Sequence, residues 1–265
     1  MKYLIIVIIL ILIISIIYSH FVIDKTRYYI RNKKIDKNLK IIFISDLHNR
    51  NVNKKILDII DIEKPDIVLF GGDMVDYNID SSKSFFELVK KIKAKKYYTF
   101  GNHENYVEDI DKYIKMVKGQ DLVLLNNERV DLTKNINLIG FWSDIDKYVK
   151  FKDSVLDKKY ITSKIGKIDN KKFNIMLAHN PLEFKAYKDL KVDLVLSGHI
   201  HGGIIKLPCV GALLSPTYKF FPRYSDGIYY EDKTKMIVSR GIGYSKHVPI
   251  RVFNPGEVVI INLIK

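Results

Sequence analysis

Five short polar blocks follow five apolar segments in this chain, and they constrain its fold more than any other feature. Each apolar segment has four or five residues, many of them β-branched or aromatic, which is typical of a strand buried on both faces. The blocks are Asp46-Leu47-His48, Gly71-Gly72-Asp73, Gly101-Asn102-His103-Glu104, Ala178-His179-Asn180 and Gly198-His199-Ile200-His201-Gly202. If the strands end side by side in one sheet, all five blocks meet at a common edge. Carboxylate, amide and imidazole groups at such an edge suit a pair of metal ions.

The composition fits one catalytic domain and excludes two kinds of site. The 265 residues suffice for one α/β domain with an appendage, and the apolar content of 47% is ordinary for a packed core. The single cysteine, Cys209, excludes an intramolecular disulfide framework and a cysteine-rich zinc site. We expect Cys209 to be a small buried apolar residue rather than a nucleophile.

The net charge of +14 does not by itself indicate a nucleic-acid-binding protein. Such proteins carry a clustered basic surface, whereas the lysines of this chain are spread along its length and reflect a general bias in residue usage. We therefore expect no dedicated nucleic-acid binding. One local basic run, in residues 24–38, directly follows a membrane-type segment.

That N-terminal segment is long and apolar enough to cross a membrane. A helix over residues 3–23 is about 31 Å long at 1.5 Å per residue, which matches the thickness of a bilayer core. The alternative is a cleaved signal peptide, but the apolar run is longer than a signal core and no Ala-x-Ala-like site comes after it. The sequence therefore predicts a transmembrane anchor over residues 1–23. It also predicts a basic juxtamembrane linker over residues 24–38, attracted to anionic lipid headgroups.

Two cues about the side of the membrane conflict. Positive charge is denser after the helix than before it, which favours a cytoplasmic catalytic domain. The two-residue N-terminal flank is instead typical of a signal anchor that exports the domain behind it. The sequence therefore predicts a single-pass membrane protein and leaves both sides of the membrane open for its catalytic domain.

From residue 39 onward, strand and helix patterns alternate, and this predicts one catalytic domain over residues 39–265. Apolar residues recur at helical spacing after the first and second blocks, and Pro181 opens a helix after the fourth. The last third is rich in strand patterns separated by turn residues. A mixed α/β domain with two sheets is the simplest architecture that accommodates these elements.

The first three blocks carry side chains suited to metal binding. Asp46 and His48 are two residues apart where the chain turns, so both can reach one ion. Asp73 follows two glycines, which let backbone and ion come close, and its carboxylate can bridge two ions. Asn102 offers a neutral carbonyl oxygen, whereas His103 beside it is free to handle a proton.

The last two blocks add three histidines. His179 follows an apolar strand, and the spacing of His199 and His201 lets each bind a different ion. Taken singly, such residues are more often core or solvated loop residues than ligands. The conjunction favours a metal site, because five of the seven histidines lie in the blocks and only His20 and His247 do not.

In order and approximate spacing, the blocks resemble those of the calcineurin-like metallophosphoesterase superfamily across residues 40–203. The chain is most similar to one branch, the membrane-anchored bacterial phosphoesterases like YkuE and YaeI. In that branch the last histidine motif continues into Leu-Pro and Gly-Ala-Leu, here Leu207-Pro208 and Gly211-Ala212-Leu213. An Arg-Gly-x-Gly motif and a Pro-Ile-Arg-x-Phe-Asn-Pro motif also recur, at residues 240–243 and 249–255. The branch usually has Thr and Gln where this chain has Ile200 and Ile204.

The resemblance implies a four-layer αββα sandwich of two mixed β-sheets flanked by helices, with a binuclear metal centre. Seven residues are implied to be metal ligands: Asp46, His48 and His201 on the first ion, Asn102, His179 and His199 on the second, and Asp73 on both. His103 matches the catalytic histidine that assists the leaving group. Oxygen and imidazole ligands without thiolate fit Mn, Fe, Zn or Co, and we favour Mn.

The expected reaction is hydrolysis of a phosphodiester or pyrophosphate bond by a metal-bridged hydroxide. The anchor makes a lipid or nucleotide-lipid headgroup a candidate substrate. Candidate phosphate contacts are Arg50, Arg240, His247 and Arg251, because guanidinium groups suit phosphate. Two alternatives stay open: a nucleotide or nucleic-acid phosphodiesterase, and a non-catalytic metal-stabilised membrane scaffold.

Overall fold

The computed structural model of the chain describes residues 1–143, 156–216, 218–244 and 249–265. Within these ranges the strands form two six-stranded sheets and one separate hairpin. The first sheet contains, in spatial order, β1 (Ile23–Arg31), β14 (Gly256–Ile264), β2 (Leu39–Ile44), β3 (Ile67–Phe70), β4 (Lys95–Tyr98) and β5 (Val123–Leu124). The second contains β12 (Gly227–Glu231), β13 (Thr234–Val238), β9 (Leu194–Ser197), β8 (Phe173–Ala178), β7 (Ile136–Phe141) and β6 (Arg129–Asp131). The hairpin pairs β10 (Ile205–Leu207) with β11 (Gly211–Leu214).

Helices cover the outer faces of both sheets. The helices beside the first sheet are α2 (Asn53–Glu63), α3 (Lys83–Lys91) and α4 (Ile110–Lys118), and those beside the second are α5 (Lys158–Ile165) and α6 (Phe184–Asp189). One apolar cluster lies between the two sheets, and one lies between each sheet and its helices. The predicted four-layer αββα sandwich is therefore confirmed.

Strand β2 shows why the central strands are apolar without alternation. Ile41 and Phe43 point into the cluster between the sheets, whereas Ile42 and Ile44 point toward the helices. All four side chains are fully buried. Parallel strands covered on both faces require apolar residues at every position, which explains the continuous apolar segments before the polar blocks.

The five polar blocks are divided between the two sheets. Strands β2, β3 and β4 are parallel neighbours in the first sheet, and β8 and β9 are parallel neighbours in the second. The expectation of one common sheet edge is thus wrong in its detail. The blocks meet because these strands of both sheets end on the same side of the sandwich.

The prediction of a linker over residues 24–38 is wrong for residues 24–31, because Ile23–Arg31 form strand β1. This strand pairs in parallel with β14 along its whole length, at the edge of the first sheet. Its exposed positions are mostly charged, while Thr26, Tyr28 and Ile30 face inward. Charged residues are common on edge strands, where they discourage pairing with other chains. The resulting basic pattern resembles a solvated linker.

The N-terminal helix α1 (Lys2–Phe21) nearly coincides with the predicted anchor. It is the one helix in the described part of the chain that is long and apolar enough to cross a membrane, with a mean hydropathy of 2.9. A signal sequence would satisfy the same criterion. Only Ser15 and Ser19 of this helix are buried.

The expectation that Cys209 is buried is wrong. Cys209 is exposed, because it lies in the turn between β10 and β11.

Candidate metal centre and active site

The side chains of the polar blocks meet at one end of the sandwich. Five of the predicted ligands have a left-handed backbone, with φ between 44° and 73°: Asp46, His48, Asp73, His199 and His201. Residues other than glycine rarely adopt this conformation, which costs on the order of 1–3 kcal/mol each and persists where surrounding contacts impose it. Strain at five neighbouring residues is typical of a functional site.

Asp46, His48 and His201 form a first group of potential ligands. One ligand atom from each lies within 4.8 Å of the others. The Nε2 atom of His201 is 3.6 Å from Oδ1 of Asp46, and the rings of His48 and His201 stack at a centroid distance of 5.0 Å. The structure therefore brings together the three residues predicted for the first ion.

Asp73, His179 and His199 form a second group, with ligand atoms again within 4.8 Å of one another. The Nε2 atom of His179 is 3.1 Å from Oδ2 of Asp73. Asn102 lies beside this group, since its Oδ1 atom is 2.7 Å from Nδ1 of His199. The residues predicted for the second ion are also brought together.

Asp73 lies between the two groups. Its Oδ2 atom is 3.1 Å from Nε2 of His179 in the second group and 3.8 Å from Nε2 of His48 in the first. Asp46 also faces both, because its Oδ1 atom is 3.8 Å from Nε2 of His179. The two groups are immediate neighbours, and the carboxylate of Asp73 is placed where it can serve both.

Unpartnered imidazole nitrogens show that these residues fit divalent metal ions. Among the described residues, Nε2 of His48 and Nε2 of His179 are buried and have no hydrogen-bond partner. The second of these nitrogens lies 3.1 Å from the carboxylate oxygen Oδ2 of Asp73. Their Nδ1 atoms are engaged, with Oδ1 of Asp76 at 3.1 Å and the carbonyl of Gly71 at 2.8 Å. A ring held through Nδ1 by a carboxylate or carbonyl presents Nε2 to a metal ion.

Two glycines allow the close packing around the carboxylates. A Cβ atom on Gly101 would lie 2.3 Å from Oδ1 of Asp73, and one on Gly198 would lie 2.2 Å from Oδ2 of Asp46. Both distances are far below a van der Waals contact. Any other residue would displace a predicted metal ligand.

The charges around the histidines also suit metal binding. Burial, together with the nearby charge of His179, lowers the pKa of His199 to about 3. Burial likewise holds the pKa of His201 well below its usual range. These imidazoles stay neutral and keep the lone pair that a metal ion needs. Burial would also lower the pKa of His179, but the charges of Asp73 and Asp46 outweigh it and raise the pKa to about 10. A cation among the same carboxylates can take the place of that proton.

Comparison with known proteins identifies the family. The family model described as calcineurin-like phosphoesterase matches residues 39–203, which is more than half of the chain. The chain belongs to this family. Its histidine and aspartate groups are of the kind that could hold divalent metal ions.

Related proteins agree with this assignment. An uncharacterized metallophosphoesterase of Helicobacter pylori (strain J99) is 34% identical over 240 residues, covering 87% of this chain and 61% of that protein. The metallophosphoesterase YkuE of Bacillus subtilis is 27% identical over 234 residues, covering 84% of this chain and 78% of YkuE. The resemblance to the YkuE-like branch is thus confirmed. The chain spans about three fifths of the length of the Helicobacter relative.

The crystal structure of TT1561 of Thermus thermophilus shares the fold. It superposes with a TM-score of 0.52 over 77% of this chain and 89% of that chain, at 10% sequence identity. At this identity the likeness concerns architecture alone. It supports the sandwich of two sheets described above.

Glu104 supports the candidate metal centre, and the sequence pattern did not reveal its role. Its buried carboxylate accepts hydrogen bonds from the backbone N–H groups of Asp73, Met74 and Gly101 and from the hydroxyl of Tyr98, at 2.7–3.0 Å. It therefore ties the block after β3 to the block after β4. The one signal was its position in the Gly-Asn-His-Glu block.

Asp76 is a second residue that the sequence pattern missed. Its Oδ1 atom lies 3.1 Å from Nδ1 of His48 and 3.6 Å from Nδ1 of His103. The shorter contact is a hydrogen bond that orients a potential ligand, whereas the longer one only brings a carboxylate close to the ring of His103. The only sequence feature that could have pointed to Asp76 is its position three residues after Asp73.

His103 lies at the opening of the site. Its side chain is 14% exposed, whereas those of His48 and His179 are 3% and 0% exposed. Its Nε2 atom is 3.9 Å from Oδ2 of Asp73, and its ring packs against that of Tyr77. His103, His48 and Asp73 also form a third group with ligand atoms within 4.8 Å. The catalytic role of His103 stays a prediction.

Arg251 lies under the metal centre rather than in its opening. It is buried, and its guanidinium donates to the backbone carbonyls of His201 and Gly243, at 3.1 and 3.0 Å. These bonds hold the loop that carries His201. Contact of Arg251 with substrate stays a prediction, and His247 lies outside the described residues.

Arg50 and Arg240 also have protein partners. The guanidinium of Arg50 donates to the carbonyl of Ile242 at 2.6 Å. That of Arg240 lies 3.1 Å from a carboxylate oxygen of Asp24 and 3.3 Å from one of Glu257. Their contact with substrate likewise stays a prediction.

Proposed function

We propose that this protein is a membrane-anchored phosphoesterase with two divalent metal ions that hydrolyses phosphodiester or pyrophosphate bonds. The observation that carries this proposal is the position of Asp73 between two groups of potential ligands. A carboxylate shared by two imidazole groups is the arrangement expected for a binuclear centre. When bound, two such ions supply a hydroxide nucleophile near neutral pH and offset the charge of the phosphate oxygens.

The residues around the ions position the ligands and assist the leaving group. Glu104 and Arg251 hold the blocks that carry Asp73 and His201 through backbone hydrogen bonds. His103, whose side chain is partly exposed and lies 3.6 Å from the carboxylate of Asp76, donates a proton to the leaving oxygen or hydrogen-bonds to it. A positioned acid of this kind contributes about 10²–10⁴-fold to the rate.

Membrane anchoring by α1 is supported by how the helix contacts the catalytic domain. The hydroxyl of Ser15 accepts a hydrogen bond from the backbone N–H of Phe253 at 2.6 Å. That of Ser19 accepts one from the backbone N–H of Asn254 at 3.1 Å. A signal sequence that is cleaved off has no need of specific polar contacts with the mature domain. We therefore propose that α1 is retained and that the substrate is a phosphate ester of a membrane lipid or nucleotide-lipid.

The test uses the full chain purified in detergent without chelator. Its metal content is measured, and hydrolysis is followed on bis(p-nitrophenyl) phosphate, p-nitrophenyl phosphate and a nucleoside-diphosphate-linked lipid, with Mn and with EDTA. We expect two Mn ions per chain and EDTA-sensitive cleavage of the diester or of the pyrophosphate lipid. Asp73→Asn should abolish it, while Asp58→Asn on the exposed face of α2 should not.

Three other results would each overturn part of the proposal. One Mn ion per chain would contradict the binuclear centre. Equal activity on soluble nucleotides, with none on the lipid, would favour a nucleotide phosphodiesterase. Two bound ions without cleavage of any of these esters would favour the non-catalytic scaffold.

A further inference from the structure

A strongly apolar surface lies beside α1 on the catalytic domain. We call it the hairpin surface, and it consists of the β10–β11 turn at residues 207–211 together with Tyr218, Phe220 and Phe221. The side chains of Phe220 and Phe221 are 69% and 64% exposed, and that of Val210 in the turn is 63% exposed. Residues 207–218 include no charged residue, although 28% of the chain is charged, and Lys206 and Lys219 border this segment. Exposed apolar surface of this kind marks an interaction site.

The β10–β11 turn and α1 enclose a groove of about 800 Å³. The helix lines one side with Ile11, Ile14 and Tyr18, the turn lines the other with Pro208 and Val210, and three charged residues also line it: Asp24, Lys206 and Arg240. The groove therefore extends along α1 as far as Ile11. At 1.5 Å per residue, this level is about 15 Å from the end of the helix at Phe21.

Helix α1 is held against the catalytic domain rather than tethered loosely to it. The hydrogen bonds of Ser15 and Ser19 fix one face of the helix to the chain at Phe253 and Asn254. At its C-terminus, cationic side chains donate to the last carbonyls: Arg50 to that of His20 and Lys55 to that of Phe21. Cations at this end also interact favourably with the helix dipole.

The length of α1 determines how deep in the bilayer the residues that contact it lie. Its 20 residues measure about 30 Å, which equals the thickness of a bilayer hydrocarbon core. A helix that spans the core therefore uses all of its turns, including those from Ser15 to the end that contact the catalytic domain. Arg50 and Lys55 at the end of the helix then lie at the headgroup level, and the β10–β11 turn lies deeper.

The backbone of the hairpin is suited to this depth. Its outer edges are paired on both sides, because the N–H of Lys206 donates to the carbonyl of Val252 at 3.0 Å and that of Phe221 to Leu213 at 2.9 Å. Unpaired backbone groups are costly in hydrocarbon, so a hairpin covered at both edges tolerates an apolar surrounding better than an open one.

We infer that the hairpin surface is embedded in the same bilayer leaflet that α1 enters from the catalytic domain, and that lipid acyl chains fill the groove. The inference rests on the membrane anchoring proposed above. Strand β10 begins four residues after the potential ligand His201. Embedding the hairpin thus holds the metal centre at a fixed height over the headgroups, where a lipid phosphate ester is presented.

Cys209, the only cysteine of the chain, allows a direct test at the tip of the turn. The full chain is reconstituted in phosphatidylcholine vesicles with an environment-sensitive fluorophore on Cys209. Quenching by nitroxide groups on lipid acyl chains is compared with quenching by aqueous iodide. We expect strong quenching by the lipid-borne nitroxides and weak quenching by iodide.

Two control sites in a Cys209→Ser background separate the possible outcomes. Val7→Cys reports on insertion of α1 itself. Tyr230→Cys reports on an exposed position of the catalytic domain, in a groove shared with Lys33 and Lys34 beyond the far end of β1. A label on Cys209 should behave like the one on Val7→Cys, and the label on Tyr230→Cys should be quenched by iodide alone.

The failure of the inference differs from the failure of the anchor. If the Val7→Cys label is quenched by lipid and the Cys209 label only by iodide, α1 spans the membrane but the hairpin surface stays in water. If neither is quenched by lipid, the anchor itself is wrong. As a further check, Val210→Asp should shift the Cys209 label toward iodide quenching, whereas Val123→Asp on β5 should leave it unchanged. No shift with Val210→Asp would contradict the embedding.

Discussion

Glu104→Gln tests whether one buried carboxylate holds Asp73 in place. Oε2 of Glu104 accepts from the N–H groups of Asp73 and Gly101, and Oε1 accepts from Met74 and the hydroxyl of Tyr98. Glutamine has nearly the same shape, but its amide nitrogen donates rather than accepts. If the nitrogen replaces Oε2, the N–H groups of Asp73 and Gly101 both lose their acceptor. If it replaces Oε1, the N–H of Met74 loses its acceptor, whereas the hydroxyl of Tyr98 can turn to accept from the amide and donate to Tyr113.

The expected magnitude derives from these four bonds. Hydrogen bonds to charged groups contribute about 1.5–3 kcal/mol each, so losing one or two removes about 1.5–6 kcal/mol. Part of this loss is offset, because burial and the charge of Asp73 raise the pKa of Glu104 and so disfavour its ionised form. We expect a net loss of about 1–4 kcal/mol in the free energy of unfolding. Displacement of Asp73 should also weaken metal binding about 10–100-fold.

The assay is thermal unfolding of the full chain in detergent, monitored by the fluorescence of Trp142, with Mn and with EDTA. Chelator competition gives the metal affinity of the same samples. Glu108→Gln is the matched control, because this residue lies four positions along the chain and is exposed. Stability within about 0.5 kcal/mol of the unmodified protein, with unchanged Mn affinity, would refute the assigned role.

Three further predictions concern single side chains. His103→Ala should lower turnover about 10²–10⁴-fold with the metal content per chain unchanged; loss of metal would instead make His103 a ligand. Asp76→Asn frees the ring of His48 and should weaken Mn binding about 10–100-fold in a chelator competition, and an unaltered affinity would count against this. A hydrogen bond from Arg27 lowers the pKa of Glu63, so the stability from this pair is complete above the unfolded carboxyl pKa and is lost as the pH falls through the folded one. Arg27→Gln should therefore flatten the acid side of the unfolding profile, and an unchanged acid slope would show that the pair contributes nothing.

Much of the candidate site could be predicted because its signals are local. A buried parallel strand needs apolar residues at every position, and the chain must turn where the strand ends. The segments before Asp46, Asp73, Asn102, His179 and His199 carry this pattern, so each ligand block was tied to a strand end. The residue types of the blocks then indicated metal binding without any knowledge of how the strands pair.

The role of Glu104 could not be predicted in the same way. Local sequence placed it beside Asn102 and His103, but its three backbone partners come from two different strand ends. Whether a buried carboxylate is a ligand, an acid or a support depends on which donors surround it. That information exists only once β3 and β4 lie side by side.

Local sequence patterns alone were enough to predict the apolar N-terminal helix, the central strands and the residue types of the potential metal ligands, because each depends on neighbours a few residues away. The placement of β1 against β14, the division of the blocks between two sheets and the packing of α1 beside the hairpin surface required the folded chain. Thr26 and Glu257, for example, form a hydrogen bond although they are 231 residues apart in sequence. The energy of such pairings comes from contacts between distant segments, and no local pattern contains it.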